Sequence, residues 1–156
     1  MLSPGAVGLI DERYGVPLHS TSNQLMIKQS GFLRYLEMRD IPFYPVIKGK
    51  SREEEATEYD EKIRELNAVF PKSVGLLGIG PDAHTSSIIP NRPDLPDRQA
   101  GFHNPWFDAD RQNLLVSEFD DPKSHYGERI GMTFLGLEML DFMIVLAFGD
   151  NKKIAF

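Results

Sequence analysis

An α/β domain with a mostly parallel sheet and flanking helices is what this sequence predicts. Three observations predict it. Short apolar runs alternate along the chain with stretches of helical periodicity. The strongest run, Phe142 to Phe148, is apolar at every position, as in a strand covered on both sheet faces. The 156 residues, 41% hydrophobic and 26% charged, suffice for a single domain over 1–156 with its own core, and they exclude disorder over the whole length.

The elements follow in order. Val7 to Ile10 reads as a buried strand that stops at the polar triplet Asp11-Glu12-Arg13. Thr21 or Ser22 caps a helix running to about Arg39, with Leu25, Ile27, Phe32, Leu33 and Leu36 on its apolar side and Gly31 inside it. Phe43 to Ile47 is an edge or irregular strand, because Pro45 has no amide to donate. Ser51 and Glu54 form a capping box for a helix to about Val69. Ala56, Tyr59, Ile63, Leu66 and Val69 make its core-facing stripe, and the acidic run Glu53 to Glu55 reads as a solvated helix start. Val74 to Leu77 is the next strand and runs into the turn Gly78 to His84. Asn91 to Arg111 reads as a long surface loop. Leu114 to Phe119 is a strand, and Arg129 to Thr133 is a short one leading into a helix over Phe134 to Leu140. After the last strand, Gly149 to Lys153 turns into the start of a helix.

Composition narrows the function classes. With 17 basic and 23 acidic residues the chain carries a formal charge of −6, which argues against nucleic acid as a partner. The chain has no cysteine, so disulfide scaffolds, thiolate metal sites and thiol nucleophiles are excluded. No apolar run approaches the ~20 residues of a membrane span, and the N-terminus lacks a secretory pattern; a cytoplasmic setting is expected. No spacing compels a metal.

Ligands of parallel α/β sheets bind beyond the C-terminal ends of strands. Three polar clusters fall there: Asp11 to Arg13, Gly78 to His84, and Gly149 to Lys152. The second is the most informative. Gly78, Gly80 and Pro81 force a tight turn, and a glycine lets backbone approach a ligand closely. Asp82 and His84 stand two apart, so the imidazole can take a proton from water while the carboxylate orients it or holds the substrate. Thr85, Ser86 and Ser87 could cap a following helix. The same turn could equally be an ordinary strand-to-helix connection with a surface histidine. Arg13 and Lys152 are phosphate candidates that could equally be a structural ion-pair member and a solvated lysine. His19, His103 and His125 read as loop residues, and Trp106 as packing in or near the long loop.

Four segments resemble one known family. Asp11-Glu12-Arg13 with His19 and Ser22-Asn23 is similar to the "DER … SN" segment of 6-phosphogluconolactonases. Leu77 to Pro90, LGIGPDAHTSSIIP, resembles their "LGMGPDGHTASLFP" signature. Glu128 to Thr133 resembles their "RITLT" segment, and Phe148 to Lys152 their "TGADK" segment. The resemblance implies the sugar-phosphate isomerase-like fold shared with glucosamine-6-phosphate deaminases. It implies hydrolysis of 6-phospho-glucono-1,5-lactone without metal or organic cofactor. By the same resemblance His84 is the base that activates water and Asp82 its signature aspartate. Arg13 and Lys152 are phosphate contacts, and Asp11, Asn23, Gly80 and Arg129 belong to the substrate site.

Two departures qualify these expectations. Ala83 replaces the glycine of the family's "PDGH", and an alanine there would be strained if the position needs a positive φ. Nothing before Val7 matches the family's "SGGxTP" phosphate loop, so the resemblance covers a central-to-C-terminal piece of the family fold. A non-catalytic or split protein, needing a partner chain for that loop, is therefore the alternative function. A homo-oligomer or a partner chain over exposed sheet edges is expected. A deaminase-like isomerase is a lesser alternative. Deaminases carry glutamate five residues beyond the signature histidine, where this chain has Ile89, and tyrosine where it has Arg13.

Overall fold

The computed structural model describes residues 4–89, 111–121 and 127–155. Most of the 91–111 loop lies outside these residues, as do His103, Trp106 and His125. Helices and strands alternate as expected, in two parallel strand pairs and one antiparallel sheet.

The first apolar run divides in two. β1 (Val7–Gly8) pairs in parallel with β3 (Phe43–Tyr44), which ends before Pro45. β2 (Asp11–Arg13) is itself a strand, not the polar end of one, and runs antiparallel to β6 (Glu128–Met132). β6 also pairs antiparallel with β5 (Val116–Asp120), giving the order β2-β6-β5. β4 (Val74–Gly78) and β7 (Phe142–Leu146) form the second parallel pair, with Gly78 opposite Leu146. The loops carrying His84 and Lys152 thus leave adjacent strand ends. Lys152 itself lies on a 3-10 helix, Asp150–Ala155.

The single helix expected from Ser22 to Arg39 is two. Ser22 caps α1 (Asn23–Gln29), accepting from the Leu25 amide at 3.1 Å. Gly31, at φ 82°, breaks the run before α2 (Phe32–Glu37), because a left-handed residue cannot continue a right-handed helix. α3 (Arg52–Val69) opens with the predicted Ser51–Glu54 capping box. Its stripe is buried at Ala56, Tyr59 and Ile63, while Val69 is exposed. The acidic start is not wholly solvated: Glu55 is buried, accepting from the amides of Lys48 (2.5 Å) and Lys50 (2.9 Å). Asp60 accepts from the Leu115 and Val116 amides at 2.6 and 2.9 Å and so pins α3 to the start of β5. Thr133 caps α4 (Phe134–Glu138) through the Gly136 amide.

Leu9, Val46, Ile63, Leu115, Val116 and Ile130 belong to one continuous core. Each fully buried aliphatic side chain contributes about 1.5–3 kcal/mol. Tyr59 ties that core to the end of β1: its hydroxyl accepts from the Leu9 amide at 2.7 Å and donates to the Leu9 carbonyl at 2.9 Å. β7 departs from expectation. Its five side chains, Phe142 to Leu146, are all exposed, and β4 buries only alternate residues. Nothing among the described residues covers the apolar faces that the sequence of β7 prepares for packing.

Candidate active site

The signature turn is closed on itself. The Gly80 amide donates to the His84 carbonyl at 2.7 Å, and the Ala83 amide donates to the Gly80 carbonyl at 3.1 Å. This folds residue 84 back over residue 82, and His84 Nδ1 meets Asp82 Oδ1 in a short hydrogen bond. The same carboxylate oxygen accepts from the His84 amide at 3.3 Å. The pair is part-buried, so the imidazole is neither lost in apolar packing nor free in solvent. Gly80 is sterically required. A Cβ there would collide with the His84 ring and stand 2.5 Å from Asp82 Oδ1. Its amide is used inside the turn, so glycine serves here by being small.

Ala83 does take a positive φ, 64°. The strain expected of alanine at this position is present, and the Asp82–His84 bond forms nonetheless. Ser86 has φ 53°. Thr85 to Ile88 is a tight turn closed by two backbone bonds, so no helix starts at Thr85–Ser87. The Thr85 and Ser86 hydroxyl oxygens are buried and without a hydrogen-bond partner among the described residues.

The turn packs on one face of the antiparallel sheet. In β2, Asp11 and Arg13 share a face and Glu12 points to the other. Arg13 lies opposite Arg129 and Asp11 opposite Gly131, so those side chains share the face. Phe119 of β5 lies opposite Arg129 on that face. Ser87 sits directly on it: a Cβ at Gly131 would stand 2.8 Å from Ser87 Cβ and 3.1 Å from Asp11 Cβ. The Ser87 hydroxyl donates to the Met132 carbonyl, and Ile89 is buried with Phe119. The His84 turn is thereby anchored over the strands that carry Asp11, Arg13 and Arg129.

Asp11 is the hub of that face. It accepts from the Arg129 guanidinium and, at 3.1 Å, from Asn23 Nδ2, which also donates to the Asp11 carbonyl at 2.9 Å. Arg129 is 3% exposed, lies 5.6 Å over the Phe119 ring, and faces Asp121 at 4.0 Å. Arg13, half-buried, donates to the Thr21 carbonyl at 2.9 Å. Lys152 makes no ion pair among the described residues, whereas Lys153 pairs with Asp150 at 2.9 Å. Asp11, Asn23 and Arg129 are therefore directly joined, as are Asp82 and His84. Arg13 shares the face of the first group, and Lys152 follows the strand beside β4.

Two residues carry more structure than the sequence reading assigned them. Glu12 is fully buried and accepts four hydrogen bonds: from the Arg13, Asn23 and Gln24 amides at 2.7–2.8 Å and from the Ser22 hydroxyl at 2.9 Å. It fixes the start of α1, and with it Asn23, against β2. His19 braces the following loop, donating from Nε2 to the Arg13 carbonyl (2.9 Å) while Nδ1 accepts from the Thr21 hydroxyl (3.0 Å). Among the described residues no group of three His, Asp or Glu side chains could hold a metal ion, and no helix is long and apolar enough to cross a membrane.

Residues 5–156 match the model of the glucosamine-6-phosphate isomerases/6-phosphogluconolactonase family. The chain belongs to this family. A 6-phosphogluconolactonase of Caulobacter vibrioides is 30% identical over 148 residues, which are 94% of this chain and 58% of that protein. The human 6-phosphogluconolactonase is 23% identical over 154 residues, 97% of this chain and 54% of that one. Among solved structures, a 6-phosphogluconolactonase from Thermotoga maritima superposes with a TM-score of 0.62 at 26% identity, covering 93% of this chain and 58% of the other. One from Shewanella baltica gives 0.64 at 18% identity, covering 96% and 58%. The likeness establishes the fold. The chain spans somewhat more than half the length of the curated relatives it matches.

Proposed function

We propose that this chain carries the water-activating part of a 6-phosphogluconolactonase site and hydrolyses 6-phospho-glucono-1,5-lactone to 6-phosphogluconate. The observation that carries this reading is the Asp82–His84 pair, held on a self-closed turn over the sheet face that bears Arg13. The relatives named above support it.

The chemistry follows from the pair. Asp82 occupies His84 Nδ1, which leaves Nε2 to accept a proton. A water positioned at Nε2 gives up that proton as its oxygen bonds to the lactone carbonyl carbon. The carbonyl π electrons move to oxygen, giving a tetrahedral oxyanion. The oxyanion collapses, the bond to the ring oxygen breaks, and the ring oxygen takes the proton back from His84. No covalent enzyme intermediate is needed, because a lactone is already an activated ester. General-base assistance of this kind is worth roughly 10²–10⁴-fold. Arg13 and Lys152 supply the positive charge for the substrate phosphate, against the net charge of −6. Asp11, Asn23 and Arg129 hold the floor on which the sugar lies. We assign the activity to the cytoplasm, where a phosphorylated lactone would be made and used.

Ile89 speaks against the deaminase alternative. Where the deaminase pattern has glutamate, this chain buries an apolar side chain against Phe119, with no carboxylate to assist an amine. The test is direct. Purified protein should release acid from freshly made 6-phosphogluconolactone faster than the spontaneous rate, and His84→Ala should remove the gain. A wild-type chain that binds 6-phosphogluconate through Arg13 without any turnover would instead establish the non-catalytic reading.

A further inference from the structure

The loop 14–22 leaves β2 after Arg13 and leads into α1. Two backbone bonds fold it into successive turns: the His19 amide donates to the Val16 carbonyl at 3.1 Å, and the Ser22 amide to the His19 carbonyl at 2.9 Å. The His19 ring bridges the two ends of this loop. Its Nε2 meets the Arg13 carbonyl at 2.9 Å, and its Nδ1 meets the Thr21 hydroxyl at 3.0 Å. A carbonyl only accepts, so Nε2 carries the proton and Nδ1 accepts from the hydroxyl. The Thr21 carbonyl in turn accepts from Arg13 Nη1 at 2.9 Å. The bonds therefore close a circuit, from the Arg13 backbone through the imidazole and Thr21 to the Arg13 guanidinium. The ring lies flush on the loop, since a Cβ at Gly15 would stand 2.9 Å from His19 Cδ2 and 3.1 Å from Nε2. Glu12 ties the neighbouring residues from the other face of β2, through the Arg13, Asn23 and Gln24 amides and the Ser22 hydroxyl, and none of those bonds reaches Thr21.

We propose that His19 is a positioning residue for the substrate phosphate. It holds the Thr21 carbonyl in place, and that carbonyl sets the plane of the Arg13 guanidinium. The proposal rests on the reading of Arg13 as a phosphate contact. A guanidinium grips a phosphate through two parallel N–H bonds, so the orientation of its plane matters as well as its charge. An arginine side chain has several rotatable bonds, and ordering them on binding costs affinity. The bond from Nη1 to a fixed carbonyl restricts that motion before the ligand arrives. A brace that served only the loop would stop at the Thr21 hydroxyl. Here the constraint passes through the Thr21 backbone to the side chain at the loop entrance, which shares its sheet face with Asp11 and Arg129. The imidazole itself does not have to touch the substrate.

The experiment is a double-mutant cycle on the full chain, with 6-phosphogluconate as probe and calorimetric titration as readout. His19→Ala should weaken binding at least about tenfold. In the Arg13→Ala background the same change should add almost nothing, because the residue through which His19 acts is gone. His19→Gln keeps an N–H donor at the place of Nε2 and preserves the bulk of the ring, so it should lose less than the alanine variant. Long-range nitrogen–proton spectra of the neutral wild-type imidazole should show the proton on Nε2. Equal losses in the two backgrounds would reduce His19 to a structural brace and overturn the proposal. So would a His19→Gln variant as weak as His19→Ala, or an imidazole protonated on Nδ1 alone. A wild type that binds no more tightly than Arg13→Ala would overturn it together with the phosphate role of Arg13. Binding without turnover would leave it standing, because each arm reads product binding and the hydrolysis has its own test.

Discussion

Asp82 holds Nδ1 of His84, two residues away, on a turn closed by the Gly80 amide and the His84 carbonyl. A carboxylate on Nδ1 fixes the tautomer with its lone pair on Nε2 and stabilises the imidazolium formed during catalysis. Asp82→Asn preserves the shape but removes the charge and can present its amide to Nδ1. Lactone hydrolysis by this variant should fall by roughly 10²-fold or more, with the substrate concentration for half-saturation little changed. A variant that kept full kcat would show that Asp82 does not orient the base.

The same turn contains one residue that is required and one that is strained. Gly80 has no room for a side chain beside the His84 ring. Gly80→Ala should therefore open the turn, destabilise the protein by about 1–3 kcal/mol, and depress kcat. Ala83 sits at φ 64°, a left-handed conformation that costs an L-residue roughly 1–2 kcal/mol. Part of that is offset by the larger entropy glycine loses on folding. Ala83→Gly should raise the urea midpoint by the equivalent of about 0.5–1 kcal/mol. No gain, or a loss, would mean that alanine's methyl group makes a compensating contact.

Much of this was legible in the residues themselves. The Ser51 capping box, the Pro45 limit on β3 and the pairing of Asp82 with His84 all rest on short-range chemistry. So does the strained position of Ala83. What was not legible rests on backbone partners that the residue types do not announce. Glu55 and Glu12 look like surface carboxylates because the amides that bind them belong to Lys48, Lys50, Asn23 and Gln24, and a backbone donor leaves no mark in a sequence. One signal was available for Glu12: once residues 11–13 are read as a strand, Asp11 and Arg13 face one way and Glu12 the other. The apolar run of β7 marks a strand, as expected, but the covering expected on both of its faces is not found. Its exposure records what the described residues leave uncovered.

Glu12 yields a stability prediction. All four groups bonded to its carboxylate are donors. Glu12→Gln places an amide nitrogen where only acceptors fit, and should cost about 2–3 kcal/mol. Glu12→Ala, which leaves every donor unmatched, should cost about 3–5 kcal/mol. Urea denaturation of the two variants checks the order. Equal losses would mean that packing volume, not hydrogen bonding, is what Glu12 supplies.

The register of β4 on β7 decides where the loops bearing His84 and Lys152 emerge, and Asp141 sets it from the far end. Its carboxylate accepts from Lys72 Nζ at 2.6 Å and the Ser73 amide at 2.9 Å, and its own amide donates to Ser73 Oγ at 3.2 Å. The strand starts Val74 and Phe142 are thereby aligned. The hydrogen bonds from Lys72 and then from Ser73 hold the Asp141 carboxyl below the usual aspartate range. A depressed native pKa means that the unfolded chain binds the proton more readily. The contribution is complete above the unfolded value of about 3.9 and is lost as pH falls through the native one. Asp141→Asn should therefore be less stable than wild type at pH 7, and the gap should narrow steadily between about pH 5 and pH 2. Urea midpoints measured across that range test this, and a gap independent of pH would show that the carboxylate's charge plays no part in aligning the strands.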